Sequence, residues 1–198
     1  MSDRLFFAFW PDDALRAEIA AAGIDWLRDY PCRPQRPDQW HLTVAFVGDV
    51  AADRQAALHD AAKSVEGYLS EPATIVLDRV QHWRKPQVLC VAATEVPVAL
   101  QSLVAVLNAA LEQRAFHTER REFRPHLTLA RKARQPIDAR SVRPLAWPVT
   151  KLWLVRSISD AAGSRYEPCA GWNVVQSLKG PSPQPSPADG GRGGRTSR

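Results

Sequence analysis

A tetrad of the form His-x-Thr-x occurs twice in this chain, and its recurrence at a fixed offset restricts the fold more than any other feature. His41-Leu42-Thr43-Val44 lies in the run Trp40 to Gly48, and His126-Leu127-Thr128-Leu129 lies in the run Pro125 to Arg131. Both runs are rich in β-branched and apolar residues and end at a turn signal or a charge cluster, which reads as strand. Positions i and i+2 of a strand share a face. His41 and Thr43 are therefore expected on one face, with Leu42, Val44 and Phe46 on the other. Leu127 and Leu129 likewise turn inward and leave His126 and Thr128 on the open face. A single strand histidine is commonly a hydrogen-bonded structural residue, but two matched tetrads bring two imidazoles and two hydroxyls to one surface.

The matching extends into the flanking segments. Leu5 to Trp10 reads as a buried strand, and Pro11 suits the first turn of a helix whose apolar stripe is Leu15, Ile19, Ala22 and Trp26. Gly23 weakens that helix, and Pro31 to Pro37 is a loop leading to the first tetrad. Later, Thr74 to Val80 and Val88 to Ala92 read as a hairpin around the turn Gln81 to Gln87. Pro97 then opens a helix with Leu100, Leu103, Leu107 and Leu111 on one face, and a basic loop leads to the second tetrad. Pro11 precedes His41 by 30 residues and Pro97 precedes His126 by 29, so the offsets are 86 and 85. A constant period across unlike elements is what an internal repeat produces.

The expected fold is α+β and bilobal: two pseudo-symmetric lobes of antiparallel sheet, helices on the outer faces, and a central cleft between the open sheet faces. Leu58, Ala62, Val65 and Leu69 mark a further amphipathic helix. The C-terminal third adds strands at Val149 to Arg156 and Tyr166 to Val174, with a turn at Ala161-Ala162-Gly163. A chain of 198 residues with 45% hydrophobic content buries roughly 70% of its unfolded surface. Residues 1–178 are read as a single domain. From Lys179 the composition changes, with five of the 10 glycines and four of the 16 prolines in residues 179–198, so this tail is expected to be disordered.

Charge is a weaker guide. The formal net charge is +5, but Lys179, Arg192, Arg195 and Arg198 against Asp189 put much of it in the tail. A local cluster says more: Arg114, Arg120, Arg121, Arg124, Arg131, Lys132 and Arg134 surround the second tetrad, opposed by Glu119 and Glu122. Cys32, Cys90 and Cys169 are odd in number and widely spaced, which argues against a disulfide framework or zinc knuckle and suits buried thiols in a reducing cytoplasm. The apolar run at the N-terminus is too short for a signal sequence, and no segment reaches the ~20 apolar residues needed to span a bilayer. Neither a membrane partner nor an obligate oligomer is implied, and a cytoplasmic monomer is expected.

Two facing imidazoles suit general acid–base chemistry, because an ordinary His pKa of about 6.5 lets one ring be neutral while the other is protonated. Phosphodiester cleavage needs both states at once. Thr43 and Thr128 are placed to donate hydrogen bonds to non-bridging phosphate oxygens, and Arg131, five residues after His126, adds positive charge. Neither tetrad contains Asp, Glu or Cys and no HExxH occurs, so a metal site is not expected. His59, His82 and His117 are isolated and read as surface or structural residues.

With these residues in view, the chain resembles the two-histidine (2H) phosphoesterase superfamily. The runs Arg4-Leu5-Phe6-Phe7-Ala8, His41 to Gly48 and His126 to Arg131 are similar to its RNA 2′,3′-cyclic phosphodiesterase branch, also called 2′-5′ RNA ligases, over roughly Arg4 to Val174. Departures are Trp40 directly before His41 and the long polar tail. The resemblance implies hydrolysis of an RNA 2′,3′-cyclic phosphate end to a 2′-phosphate without metal or other cofactor, with weak reversible 2′-5′ ligation. It also implies His41 as proton donor and His126 as proton acceptor. Two alternatives remain open at this point: a non-catalytic RNA-binding module using the basic cluster with Phe7 or Trp83 as stacking platforms, and a phosphodiesterase for small cyclic phosphates.

Overall fold

In β1 (Ser2–Phe9) the alternation of Leu5, Phe7 and Phe9 with Phe6 and Ala8 already fixes two buried faces, because each set of side chains leaves the strand on its own side. The computed structural model describes residues 2–22, 27, 30–118, 121–138, 140–160 and 163–177. Three helices follow the sequence closely. α1 (Asp13–Ala21) buries Leu15 and Ile19 and is capped by Asp12, whose Oδ1 accepts a bond from the Leu15 N–H at 2.8 Å. The cap is thus Asp12, with Pro11 just outside the helix, and Trp26 of the expected stripe lies outside the described residues. α2 (Gln55–Ala62) gives way to a 3₁₀ turn at Lys63–Val65, and Gly67 at φ 62° turns the chain away. Leu69 is therefore buried beyond the helix rather than on it. α3 (Val98–Glu112) starts directly after Pro97 and buries Leu100, Leu103, Leu107 and Leu111 as expected.

The remaining strands are β2 (Arg33–Pro34), β3 (Leu42–Ala51), β4 (Ala73–Trp83), β5 (Val88–Ala93), β6 (His126–Arg131), β7 (Arg140–Val149), β8 (Lys151–Asp160) and β9 (Gly163–Asn173). All pair antiparallel in one sheet, in the order β7-β4-β5-β6-β3-β1-β8-β9, with β2 added against β6. The fold is α+β. The two halves join edge to edge where β3 meets β6 at Leu42 and Leu127. Each crossover helix serves the opposite half: α1 packs against β7 and α3 against β3. Ile19 and Ala22 accordingly share an apolar hollow with Leu77, Val91, Leu127 and Leu129.

Two strand expectations need correction. The hairpin of β4 and β5 is longer than expected, so His82 and Trp83 belong to a strand and not to the turn. The strand expected at Val149 to Arg156 is β8, which runs on to Asp160, whereas β7, ending at Val149, was not foreseen. β7 holds Pro144 and Pro148, which would interrupt a central ladder but are tolerated here because β7 is an edge strand bonded only to β4. The turn residues Ala161 and Ala162, and the tail after Ser177, lie outside the described residues.

The main core lies under the helix-covered face of the sheet and contains Leu5, Phe7, Phe9, Leu42, Val44, Leu127 and Leu129. Phe7 is fully buried against Trp172, at 6.2 Å between ring centroids, so it is no stacking platform. A smaller cluster of Phe6, Ala8 and Val155, flanked by Trp10, Trp153 and Tyr166, occupies the other face. The cysteines are unpaired: Cys90 is buried, Cys32 half-buried, and Cys169, against expectation, exposed. No helix among the described residues is long and apolar enough to cross a membrane.

Candidate active site

The seam between the halves brings the tetrads together. Leu42 and Leu127 are directly paired in an antiparallel register. The neighbouring positions in that register set His41 beside Thr128 and Thr43 beside His126. The leucines face the core at 0% and 1% exposure, which turns the histidines and threonines to the open side.

Both rings are held by the same device. His41 Nδ1 lies 2.7 Å from the Gln39 carbonyl oxygen, and His126 Nδ1 lies 2.8 Å from the Arg124 carbonyl oxygen. A carbonyl only accepts, so each Nδ1 carries a proton and donates it, which leaves Nε2 as the nitrogen for proton exchange. Gln39 is itself fixed. Its side chain donates to the Ser164 carbonyl at 2.8 Å and accepts from Gln35 Nε2 at 2.6 Å. Trp40, between Gln39 and His41, is buried in the core, with no hydrogen-bond partner for its Nε1.

A matched irregularity decides what else reaches the site. Along β1 and β3, Phe7 pairs with Ala45 and Ala8 with Thr43, so Val44 is an extra residue. Along β5 and β6, Leu89 pairs with Ala130 and Cys90 with Thr128, so Leu129 is the extra one. A bulge of one residue shifts the side-chain alternation by one. Val44 and Ala45 are consequently both buried, and Phe46, expected in the core, is 39% exposed on the histidine face. Arg131 is carried the same way. Five residues from His126, it would leave an unbroken strand on the opposite face; with the bulge it lines the same cavity as His41 and Thr43.

Two cavities open on this face and share Thr43 and Phe46. One, of about 460 Å³, holds His41, Arg131, Arg4, Phe6, Ser157 and Tyr166. The other, of about 730 Å³, holds His126, Trp83, Phe123, Lys85, Arg121 and Arg124. His41 sits in an aromatic box: Trp10 is stacked at 5.4 Å and 4°, Tyr166 meets it edge-on at 4.9 Å, and Phe6 lies at 5.1 Å. Burial in this box, aided by the charges of Arg131 and His126 and opposed by the Gln39 carbonyl, lowers the His41 pKa to about 4. The Trp83 ring lies 4.4 Å from that of His126, centroid to centroid. Thr128 is half-buried on the same strand face as His126.

All five expected site residues thus belong to one face. The basic cluster divides: Arg121 and Arg124 line the His126 cavity, Arg131 lines the His41 cavity, and Arg114 donates to the Ala110 carbonyl at 2.8 Å. Arg120 and Glu119 lie outside the described residues. His82 is structural, with Nε2 2.8 Å from the Ala133 carbonyl, His59 packs edge-on against Trp172, and His117 is exposed. Among the described residues no three His, Cys, Asp or Glu side chains gather into a group able to hold a metal ion. Sequence reasoning missed Trp10, Tyr166, Phe46 and Arg4. Arg4 was accessible to it, since alternation in β1 puts Arg4 with Phe6, and its guanidinium lies 5.1 Å from the Phe46 ring centre.

The chain is similar to known proteins over most of its length. It is 30% identical over 182 residues to an RNA 2′,3′-cyclic phosphodiesterase of Escherichia coli K12, covering 87% of this chain and 97% of that protein. The crystal structure of E. coli LigT complexed with 3′-AMP superposes with a TM-score of 0.75 at 26% identity, covering 89% of this chain and 100% of that one. TT0787 of Thermus thermophilus superposes with a TM-score of 0.68 at 25% identity, covering 86% and 97%. Residues 11–161, which contain both tetrads and the seam between them, match the family model of the 2′-5′ RNA ligase superfamily. The chain belongs to that superfamily, the two-histidine phosphoesterases whose paired tetrads organise its sheet.

Proposed function

We propose that this protein hydrolyses RNA 2′,3′-cyclic phosphate ends to 2′-phosphates by acid–base catalysis between His41 and His126, without a metal. The observation that carries this reading is the matched anchoring of the two rings, each donating Nδ1–H to the carbonyl two residues earlier and set beside the other tetrad's threonine. The activity of the E. coli relative supports the same substrate class.

His126 Nε2 removes a proton from water as its oxygen attacks phosphorus. The P–O3′ bond breaks, and His41 Nε2–H protonates the departing O3′, leaving a 2′-phosphate and a free 3′-hydroxyl. Thr43 and Thr128 donate to the non-bridging oxygens, and Arg131 offsets their charge. A 5′-hydroxyl in place of water yields a 2′-5′ linkage by the same bond changes, which is the ligation expected of the family.

The donor role asks His41 to be protonated, whereas its pKa in the empty site is about 4. A bound cyclic phosphate brings an anion beside Arg131 and His41, which offsets the arginine's repulsion and raises the proton affinity of the ring. The test is EDTA-treated protein with a short RNA ending in a 2′,3′-cyclic phosphate, resolving 2′- from 3′-phosphate products. His41→Ala and His126→Ala are each expected to slow turnover by ~10²–10⁴. Full activity in His126→Ala would end the mechanism. Salt-sensitive binding without turnover would leave an RNA-binding module in its place.

A further inference from the structure

We propose that the larger cavity on the histidine face, the one beside His126, is the site of the nucleoside whose 5′-hydroxyl attacks the cyclic phosphate in 2′-5′ ligation. The inference rests on the phosphodiesterase reading and gives its second reaction a nucleoside site of its own. Attack and departure at phosphorus are roughly in line, so the two oxygens stand on opposite sides of it. O3′ departs toward His41, and the ribose that carries it lies on that side, at the cavity of about 460 Å³ that His41 shares with Tyr166. The attacking oxygen therefore arrives from the side of His126. A water molecule needs only about 30 Å³ there. The cavity on that side has about 730 Å³, within the range of about 300–1,000 Å³ found for small-molecule sites.

The walls of this cavity suit a nucleobase. Trp83 closes β4 opposite Val88, and its Nε1 donates to Gln81 Oε1 at 3.1 Å, which holds the half-buried indole in one orientation. Phe123 lines the same cavity and is backed edge-on by Phe9 at 6.4 Å. Aromatic faces of this kind bind a base by stacking, whatever its edge carries. The charged lining has both signs, Arg121 and Arg124 with Glu122, so stacking rather than charge distinguishes this wall. The Trp83 ring is 4.4 Å from that of His126, and a nucleoside stacked on it has its ribose next to the proton acceptor. His126 Nε2 takes the proton of the 5′-hydroxyl as the O5′–P bond forms. The P–O3′ bond breaks, and His41 Nε2–H gives its proton to O3′. Thr43 and Phe46 line both cavities, so the hydroxyl proposed to bind the phosphate stands where the two nucleosides meet.

The probes are 3′-deoxyadenylyl-(2′-5′)-adenosine and the methyl 2′-phosphodiester of 3′-deoxyadenosine. Both are monoanions with the same first nucleoside, and neither has an O3′ that could re-form the cyclic phosphate. They differ only in what stands at the attacking side, a nucleoside or a methyl group. Calorimetry with the full chain is expected to give the dinucleoside about tenfold or more the affinity of the methyl ester. In Trp83→Leu, which fills the space without an aromatic face, this ratio should fall toward one, and in Trp83→Phe it should stay severalfold. The ratio cancels any effect of Trp83 on His126 or on the first nucleoside. Phe123→Leu should lower the ratio as well and tests the cavity where Trp83→Leu does not fold. A wild-type ratio near one overturns the site. So does a ratio unchanged in Trp83→Leu, which is the result if the first nucleoside lies on Trp83 instead. Hydrolysis of adenosine 2′,3′-cyclic phosphate, followed in parallel, separates the two readings. Hydrolysis with a ratio near one keeps the phosphodiesterase and removes the site; no hydrolysis, with a ratio that depends on Trp83, does the reverse.

Discussion

His41 carries a proton balance that can be read in stability as well as in rate. Its folded-state pKa of about 4 lies below the ordinary 6.5, so the fold favours the neutral ring. Between those two values the unfolded chain binds more protons, and stability falls as pH falls through the window. At 1.36 kcal/mol per unit the ceiling is about 3 kcal/mol, reduced because the ring borders an open cavity. Urea unfolding at pH 7 and pH 4.5 should show this loss in the wild type and a smaller one in His41→Gln. Trp10→Ala opens the stacked face of the ring, and its pKa is expected to rise toward 6.5 in an NMR titration. An unmoved value would place the cause with Arg131 instead. Thr128→Val, which keeps shape and removes the hydroxyl, should lower kcat about a hundredfold with little change in stability. That the histidines and threonines share a face was legible because their spacing is that of alternate strand positions. The aromatic box was not, because Phe6 and Trp10 lie on and just after β1 while Tyr166 lies on β9, far away in the chain.

At the scale of elements, helices read well and strands less so. Leu100, Leu103, Leu107 and Leu111 marked α3 because a 3.6-residue period over four turns has no competing explanation. β7 escaped because Pro144 and Pro148 argue against a strand unless its edge position is known, and edge position is a property of the assembled sheet. The bulges at Val44 and Leu129 were hidden for a related reason. Alternation assumes one residue per step, and the extra residue shows only against a partner strand. Two substitutions test the elements. Asp12→Ala removes the cap of α1 and is expected to cost about 1 kcal/mol. Leu127→Ala, at the seam, is expected to cost about 2–5 kcal/mol and to depress turnover as well, because the register it fixes sets each histidine beside a threonine. Stability lost with kcat intact would show that the seam does not set the catalytic geometry.

For the whole molecule, the α+β class was legible, while the meeting of β3 and β6 was not. Offsets of 86 and 85 residues announce two similar units but say nothing of which edges meet. The side chains described around the two histidine cavities all come from Arg4 to Tyr166. A chain stopped after Leu178 is therefore expected to turn over a cyclic mononucleotide at the wild-type rate; a severalfold loss would give the tail a part in binding. The Leu42–Leu127 pair has one more consequence. These leucines hold the same place in the two tetrads and face each other in an antiparallel pair, as equivalent residues do on the two-fold axis of a symmetric dimer. The seam thus resembles a dimer interface closed within one chain, and a phosphate bound there as proposed would meet two tetrads alike in their His, Leu and Thr. In a perfectly symmetric molecule the substrate would have no preferred direction, and either imidazole would serve as acid in half of the encounters. Polarity enters only through what differs between the sides: the box around His41 on one and Trp83 with its basic loop on the other. Under the proposed mechanism, directionality is then a property of the surroundings, and it is there, rather than in the tetrads, that substitutions should be able to reverse it.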